Sequence, residues 1–219
     1  MFSLDMSAGR QLRRILCIGA HCDDIEIGCA GTLLQLQAAG GLFTIDWAIL
    51  SGSPERRAEA TASMARLVAP PHRGTLTFGD LPDANFPAEY ARAKAFFASL
   101  RSHASPDLVF CHARDDAHQD HRIVNEMTWG AFRDHLILEY EIMKWEGDLG
   151  QPNAYVPLDA AQAEAKIALL MDAYGSQRSK DWFTPDTFLA VSRIRGVECR
   201  APSGHAEAFI ARKVILPMR

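Results

Sequence analysis

Two short polar clusters hold most of the side chains in this chain that could do chemistry. The first, "AHCDD" at residues 20–24, interrupts an apolar run and supplies His21, Cys22, Asp23 and Asp24. The second, "CHARDDAHQDH" at residues 111–121, ends another apolar run and supplies His112, Asp115, Asp116, His118, Asp120 and His121. Imidazoles mixed with carboxylates suit a borderline divalent ion such as Zn2+, and three such ligands with one position left open make a catalytic rather than a structural site. Cys17, Cys22, Cys29, Cys111 and Cys199 never form C-x-x-C, which argues against both a closed thiolate zinc site and a disulfide framework. Each polar element also has an ordinary reading. Asp24 could simply cap a helix, and His118 and His121, three apart, could share a solvated helical face. His72, His103, His135 and His205 are read as structural or surface residues. What favours chemistry is that both clusters fall where a strand gives way to a helix.

The elements that must position the clusters are legible in the hydrophobic pattern. Residues 14–20 form a continuous apolar run typical of a strand covered on both faces, and after Asp24 the residues Ile25, Cys29, Leu33 and Leu36 recur at helical spacing before Gly40 and Gly41. "LFTIDWAILS" reads as a second strand and "PERRAEATASMARLV" as a helix opened by Pro54. "GTLTFG" is a third strand, "PAEYARAKAFFASLRS" a third helix, and "DLVFCHA" a fourth strand, followed by a helix from Gln119 to Asp134. "HLILEYEI" is a fifth strand and "KWEGDLGQPNAYVP" reads as irregular. Asp159 with Gln162 makes a capping box for a helix running to Tyr174. "DTFLAVSRIRG" and "HAEAFIARKVIL" are expected to give strands and short helices closing one edge. Alternating strands and helices predict an α/β fold: a Rossmann-like, mostly parallel sheet flanked by helices, in one domain spanning residues 1–219. In such sheets ligands bind outside the carboxyl ends of the strands, where both clusters would lie.

Composition narrows the function classes. With 48% hydrophobic and 23% charged residues the chain reads as an ordinary globular protein, and a net charge of -4 argues against general affinity for nucleic acid. No apolar segment approaches the roughly 20 residues that span a bilayer, and the run near the start is too short to be a signal peptide, so the expected location is the cytoplasm.

"AHCDDIE" together with "DAHQDH" resembles the paired A-H-P-D-D-x-E and H-x-D-H signatures of the PIG-L/LmbE family of zinc-dependent N-acetylglucosaminyl deacetylases. "RRAEA" at 56–60, "YGSQ" at 174–177, and "RGVEC" followed by "AEAF" at 206–209 are similar to weaker family elements and occur in the same order. The resemblance implies an LmbE-like fold and a Zn2+ cofactor, with Fe2+ or Co2+ able to substitute. It implies His21, Asp24 and His121 as metal ligands, with Asp23 as general base. His118 would face the tetrahedral intermediate, held protonated and oriented by Asp120. Arg56 is similar to a family arginine that reaches the sugar; the alternative is a surface Arg pairing with Glu59 one turn on. Cys22 replaces the usual proline and could be a fourth ligand, and His205 stands where the family often has tyrosine.

Two further residues enter by position. Asp83, in the loop after the third strand, could bond sugar hydroxyls or cap a turn. Trp145 could form a platform for a sugar ring or belong to the core. The leading expectation is therefore hydrolysis of the linear amide in a small N-acetylated sugar or glycoconjugate, with self-association into a homo-oligomer left open. Two alternatives remain: a dinuclear phosphoesterase, since the clusters hold enough ligands for two ions, and a non-catalytic nucleotide-binding module. The latter lacks G-x-G-x-x-G and G-K-[ST], and its first loop would place two aspartates against a diphosphate.

Overall fold

The computed structural model describes residues 12–103 and 105–215. Seven strands, β1 (Arg14–Gly19), β2 (Thr44–Ile49), β3 (Arg73–Phe78), β4 (Leu108–His112), β5 (Leu136–Tyr140), β6 (Ala154–Leu158) and β7 (His205–Ala211), form one sheet in the order β3-β2-β1-β4-β5-β7-β6. The first five are parallel, and β7 runs antiparallel to both β5 and β6. Six α-helices accompany them: α1 (Asp24–Ala38), α2 (Pro54–Leu67), α3 (Tyr90–His103), α4 (Gln119–Ala131), α5 (Ala160–Ala173) and α6 (Pro185–Cys199). This is the mostly parallel, helix-flanked sheet expected from the sequence.

β1 is apolar throughout because both of its faces are covered. Ile15 and Cys17 join a core with Ile25, Cys29 and Leu33 of α1, whereas Leu16 and Ile18 join a second core with Phe97 of α3 and Val124 and Met127 of α4. Helices α1 and α4 therefore lie on opposite faces although they follow neighbouring strands. The strand order reverses between β1 and β4, and the two polar clusters leave the sheet on either side of that crevice.

Two departures concern the C-terminal part. Residues 154–158, all but Leu158 inside the stretch read as irregular, form β6; it is an outer strand, which is why Pro157 is tolerated within it. "DTFLAVSRIRG" is one long helix, α6, whose Thr184 side chain accepts from the Thr187 amide and whose first turn begins with Pro185. Leu216, the end of the last stretch, lies outside the described residues. Glu207 of β7, within "AEAF", accepts from the amides of Gly31 (2.8 Å) and Thr32 (2.6 Å), and Lys166 of α5 bonds both Glu207 and the Ile27 carbonyl. That network ties α1 to the sheet. Gly28 lets the same helix lie close: a Cβ there would sit 2.4 Å from the Tyr140 ring. No helix among the described residues is long and apolar enough to cross a membrane.

Candidate active site

β1 ends at Gly19, and the chain turns through Ala20–Asp23 into α1. Asp23 occupies the position before the helix, yet its side chain makes no capping bond, and Asp24 lies in the first turn with Oδ2 accepting from the His21 amide at 2.7 Å. Neither aspartate caps α1, so the ordinary reading of Asp24 does not hold. From the other cluster, His118 stands immediately before α4 and His121 in its first turn.

The histidine nitrogens show what this arrangement can hold. His121 Nδ1 is 2.9 Å from Asp116 Oδ2, and His21 Nε2 is 3.3 Å from Asp120 Oδ2 and 3.0 Å from Asp83 Oδ1. A neutral imidazole carries one N–H. Bonding of those nitrogens to carboxylates assigns the protons there and leaves lone pairs on His21 Nδ1 and His121 Nε2. These two face each other at 3.3 Å, with the Asp24 oxygens 3.5 Å from His21 Nδ1 and 3.7 Å from His121 Nε2. Two facing lone pairs repel unless a proton or a metal ion lies between them. For nitrogens bound tetrahedrally at about 2.0–2.1 Å the expected separation is about 3.3 Å, so the residues fit a divalent ion such as zinc.

Charge supports the same division. Burial acts to raise the Asp24 carboxyl, but the imidazoles of His112, His121 and His21 packed around it outweigh that and hold it well below the usual range. Burial pushes His121 down to about 4, so its lone pair is available at neutral pH. Burial opposes a charged His21, yet hydrogen bonds to Asp120 and Asp24 raise it well above the ordinary histidine value, so in the metal-free protein a proton competes with a metal there even at neutral pH. Desolvation raises Asp23 despite Arg56, whose guanidinium lies 2.5 Å from Oδ1. Asp23 Oδ2 has no hydrogen-bond partner among the described residues, which suits a group that receives a proton.

His118 differs from expectation. Its Nδ1 accepts from the Asp120 amide at 3.2 Å, so the neutral ring carries its proton on Nε2, and burial followed by the His21 charge lowers its pKa. It is a neutral donor rather than a cation. Its ring packs against His21 at 5.0 Å and stacks on His121 at 4.6 Å. The Asp120 carboxylate does not orient it, because the Ala84 amide (2.8 Å), the Phe86 amide (3.0 Å) and His21 take that carboxylate. Asp120 thus positions His21.

The remaining expected residues meet around one cleft of about 210 Å³, lined by His21, Asp23 and Asp24 together with Arg56, Asp83 and Trp145. Arg56 does not pair with Glu59, which instead bonds the Ser176 amide and hydroxyl and so joins α2 to "YGSQ". Asp83 contacts His21, and its pKa falls to about 2 through that hydrogen bond. Trp145 is not a core residue: it is 67% exposed, with Nε1 donating to Asp181 Oδ1 at 2.7 Å.

Cys22 is no ligand. Its thiol points at the Ser51 carbonyl (3.5 Å), burial pushes its pKa up to about 12, and a Cβ on Gly52 would lie 2.4 Å from its sulfur. It fills space under the loop. His205, at the start of β7, approaches Ser192 and takes no part in the cleft.

Sequence reasoning gave His112 and Asp116 no separate roles. His112, fully buried at the end of β4, stacks on His121 at 3.8 Å and lies 3.1 Å from Asp24 Oδ2, but its Nε2 already accepts from the Ala20 amide. It backs the ligands from behind. Asp116 orients His121 and is itself held 3.0 Å from Lys144. Their place beside the predicted ligands in the second cluster was the available signal. Lys180 and Trp182, which also line the cleft, come from a loop with no histidine or paired carboxylates to mark it.

Comparison with solved structures gives the same architecture. N,N'-diacetylchitobiose deacetylase from Pyrococcus horikoshii aligns over 90% of this chain and 83% of its own, at 20% identity and a TM-score of 0.66. The teicoplanin deacetylase Orf2, in a zinc-inhibited form, aligns over 90% and 96% at 14% identity and a TM-score of 0.70. GalB, the 4-carboxy-2-hydroxymuconate hydratase of Pseudomonas putida KT2440, aligns over 95% and 99% at 16% identity and a TM-score of 0.73. At such identities these likenesses carry the fold. The sequence profile of the family described as "PIG-L: GlcNAc-PI de-N-acetylase" matches residues 16–132, a span that takes in both polar clusters. With more than half of its length matched in this way, the chain belongs to the PIG-L family.

Proposed function

We propose that this protein is a zinc-dependent N-deacetylase that hydrolyses the acetamide of an N-acetylated amino sugar or of a conjugate carrying one. The observation that carries the reading is the pair of facing lone pairs on His21 Nδ1 and His121 Nε2 beside the Asp24 carboxylate. The family's description as a de-N-acetylase and the deacetylase activities named for two of the structural relatives support the amide substrate. Fe2+ or Co2+ would suit the same nitrogen and oxygen donors. The five free cysteines, four of them buried, suit a reducing compartment, and we take the cytoplasm as the site of action.

When bound by His21, Asp24 and His121, a divalent ion supplies Lewis acidity, polarising the acetyl carbonyl and lowering the pKa of water toward about 7. Asp23 Oδ2 takes the proton of the attacking water as its oxygen adds to the carbonyl carbon, and returns it to the nitrogen as the C–N bond breaks. Arg56 on Oδ1 keeps the buried base ionised and aimed. His118 Nε2–H donates to the carbonyl oxygen as negative charge builds there. Acetate and a free amine leave. Release of acetate from lipid-linked, nucleotide-linked or natural-product N-acetylglucosaminides by the zinc-loaded protein tests this; no release across all three would sink the sugar assignment.

The dinuclear phosphoesterase reading would need a second ion at His21, Asp83 and Asp120, which also come together. That set shares His21, and the carboxylates around its Nε2 favour a proton there. One zinc per chain favours the deacetylase; two favour the phosphoesterase.

A further inference from the structure

Three cations line the cleft, and they are not equivalent. Arg56 is paired with Asp23 at 2.5 Å, and Lys144 with Asp116 at 3.0 Å and Asp148 at 2.7 Å. Lys180 has no carboxylate partner among the described residues. Its ammonium instead sits 5.3 Å from the centre of the Trp182 ring, a contact that orients the cation without neutralising it. Trp182 is fixed by edge contacts to Phe183 and Phe188. Trp145 stands perpendicular to it, with ring centres 6.2 Å apart, and is held by Asp181, the neighbour of Lys180. That bond engages Asp181 Oδ1, so the adjacent carboxylate is directed at the indole. The cleft therefore has a lysine of unmatched charge against an aromatic corner, and this charge is felt at Asp23. The exposed anions among the lining residues are Glu146 and Asp83, the latter engaged with His21 at 3.0 Å.

We propose that Lys180, with Trp182 and Trp145, forms a subsite for a negatively charged group, a carboxylate or a phosphate, on the acceptor portion of the substrate. The inference rests on the deacetylase reading for its chemistry: the acetamide lies at His21, Asp24 and His121, and the anionic substituent reaches Lys180. An apolar face of the acceptor packs on the exposed Trp145 ring.

The test compares acetate release by the zinc-loaded protein from three N-acetylglucosaminides: the methyl glycoside, the carboxymethyl glycoside and the 1-phosphate. A charge-assisted contact to a half-buried lysine predicts a KM about fivefold lower for at least one anionic substrate than for the methyl glycoside. The arm that shows it identifies carboxylate or phosphate as the preferred group. Lys180→Met should reduce the preference to less than about twofold, and Glu146→Gln should leave it intact or widen it. A preference that survives Lys180→Met would belong to the metal and would overturn the proposal, as would equal KM values for all three substrates. Equal narrowing in both variants would assign the effect to the general field, with the same consequence. If no acetate is released from any substrate, the deacetylase reading fails. Tryptophan fluorescence titration with the same compounds then decides the subsite alone: tighter anion binding in wild type than in Lys180→Met supports it, and equal binding overturns it.

Discussion

Replacing Glu26 with glutamine should stabilise the metal-free protein, and by an amount that grows with pH. Glu26 is completely buried in α1, and the Tyr174 hydroxyl contacts both its Oε1 and the Cys22 carbonyl, the latter at 2.5 Å. A phenol has one proton. One proton cannot serve both acceptors at once, whereas a neutral Glu26 could donate to the phenol while the phenol donates to the carbonyl; desolvation pushes the Glu26 pKa up to about 8. In the unfolded chain the group ionises near its ordinary value of 4.5. Between those values the folded state binds more protons than the unfolded state, so wild-type stability falls as pH rises through the window, and below about pH 4.5 there is no penalty. At about 1.4 kcal/mol per pH unit the cost is about 1 kcal/mol at pH 5 and about 3 kcal/mol at pH 7. Glutamine keeps a donor and removes the titration. Urea unfolding of wild type and Glu26→Gln in chelator, from pH 5 to 8, should show the variant gaining on wild type by about 2 kcal/mol between pH 5 and 7. A pH-independent difference, or a variant that loses ground as pH rises, would refute a neutral Glu26. A bound divalent cation favours the anion and should flatten the slope.

Asp23→Asn should retain one metal per chain while kcat falls about 10²- to 10⁴-fold, whereas Asp24→Ala loses both, checked by metal analysis and steady-state kinetics. Because burial raises Asp23 and Arg56 opposes the shift, kcat/KM should rise with pH along an acidic limb above the ordinary aspartate range, and Arg56→Met should move that limb to higher pH. His118→Ala should lower kcat about 10²- to 10³-fold with unchanged metal content, as expected for loss of a single donor to the developing oxyanion. Ala84 has φ 57, held by Asp120 and by Gln119 Nε2 at its carbonyl, so Ala84→Gly should raise stability by up to about 1 kcal/mol in thermal unfolding.

β1, β2, β4 and β5 were legible because burial on both faces leaves an apolar run such as residues 14–20, β3 because glycines bracket its short pattern, and the candidate metal cluster because its polar residues come after two of those runs. β6 was not, since an outer strand needs only a partial apolar pattern and accommodates Pro157. The inner face of α6 carries Ser192, Arg195 and Gly196, with Arg195 paired to Glu141, which masked its helical period. The role of Asp120 was hidden for a different reason. Its partners are backbone amides of Ala84 and Phe86, and backbone donors leave no trace in residue type. Likewise the exposure of Trp145 depends on how residues 142–153 cross the end of the sheet, and Lys180 reaches the cleft only through the path of the chain between α5 and α6.

The most direct test of the central claim is zinc titration of the metal-free protein with acetate release from an N-acetylglucosaminide followed at each step. One catalytic ion at His21, Asp24 and His121 predicts activity that rises linearly to one equivalent and is absent in His121→Ala, whose tight zinc binding is lost as well. Activity that needs a second equivalent, or full activity in His121→Ala, would contradict it.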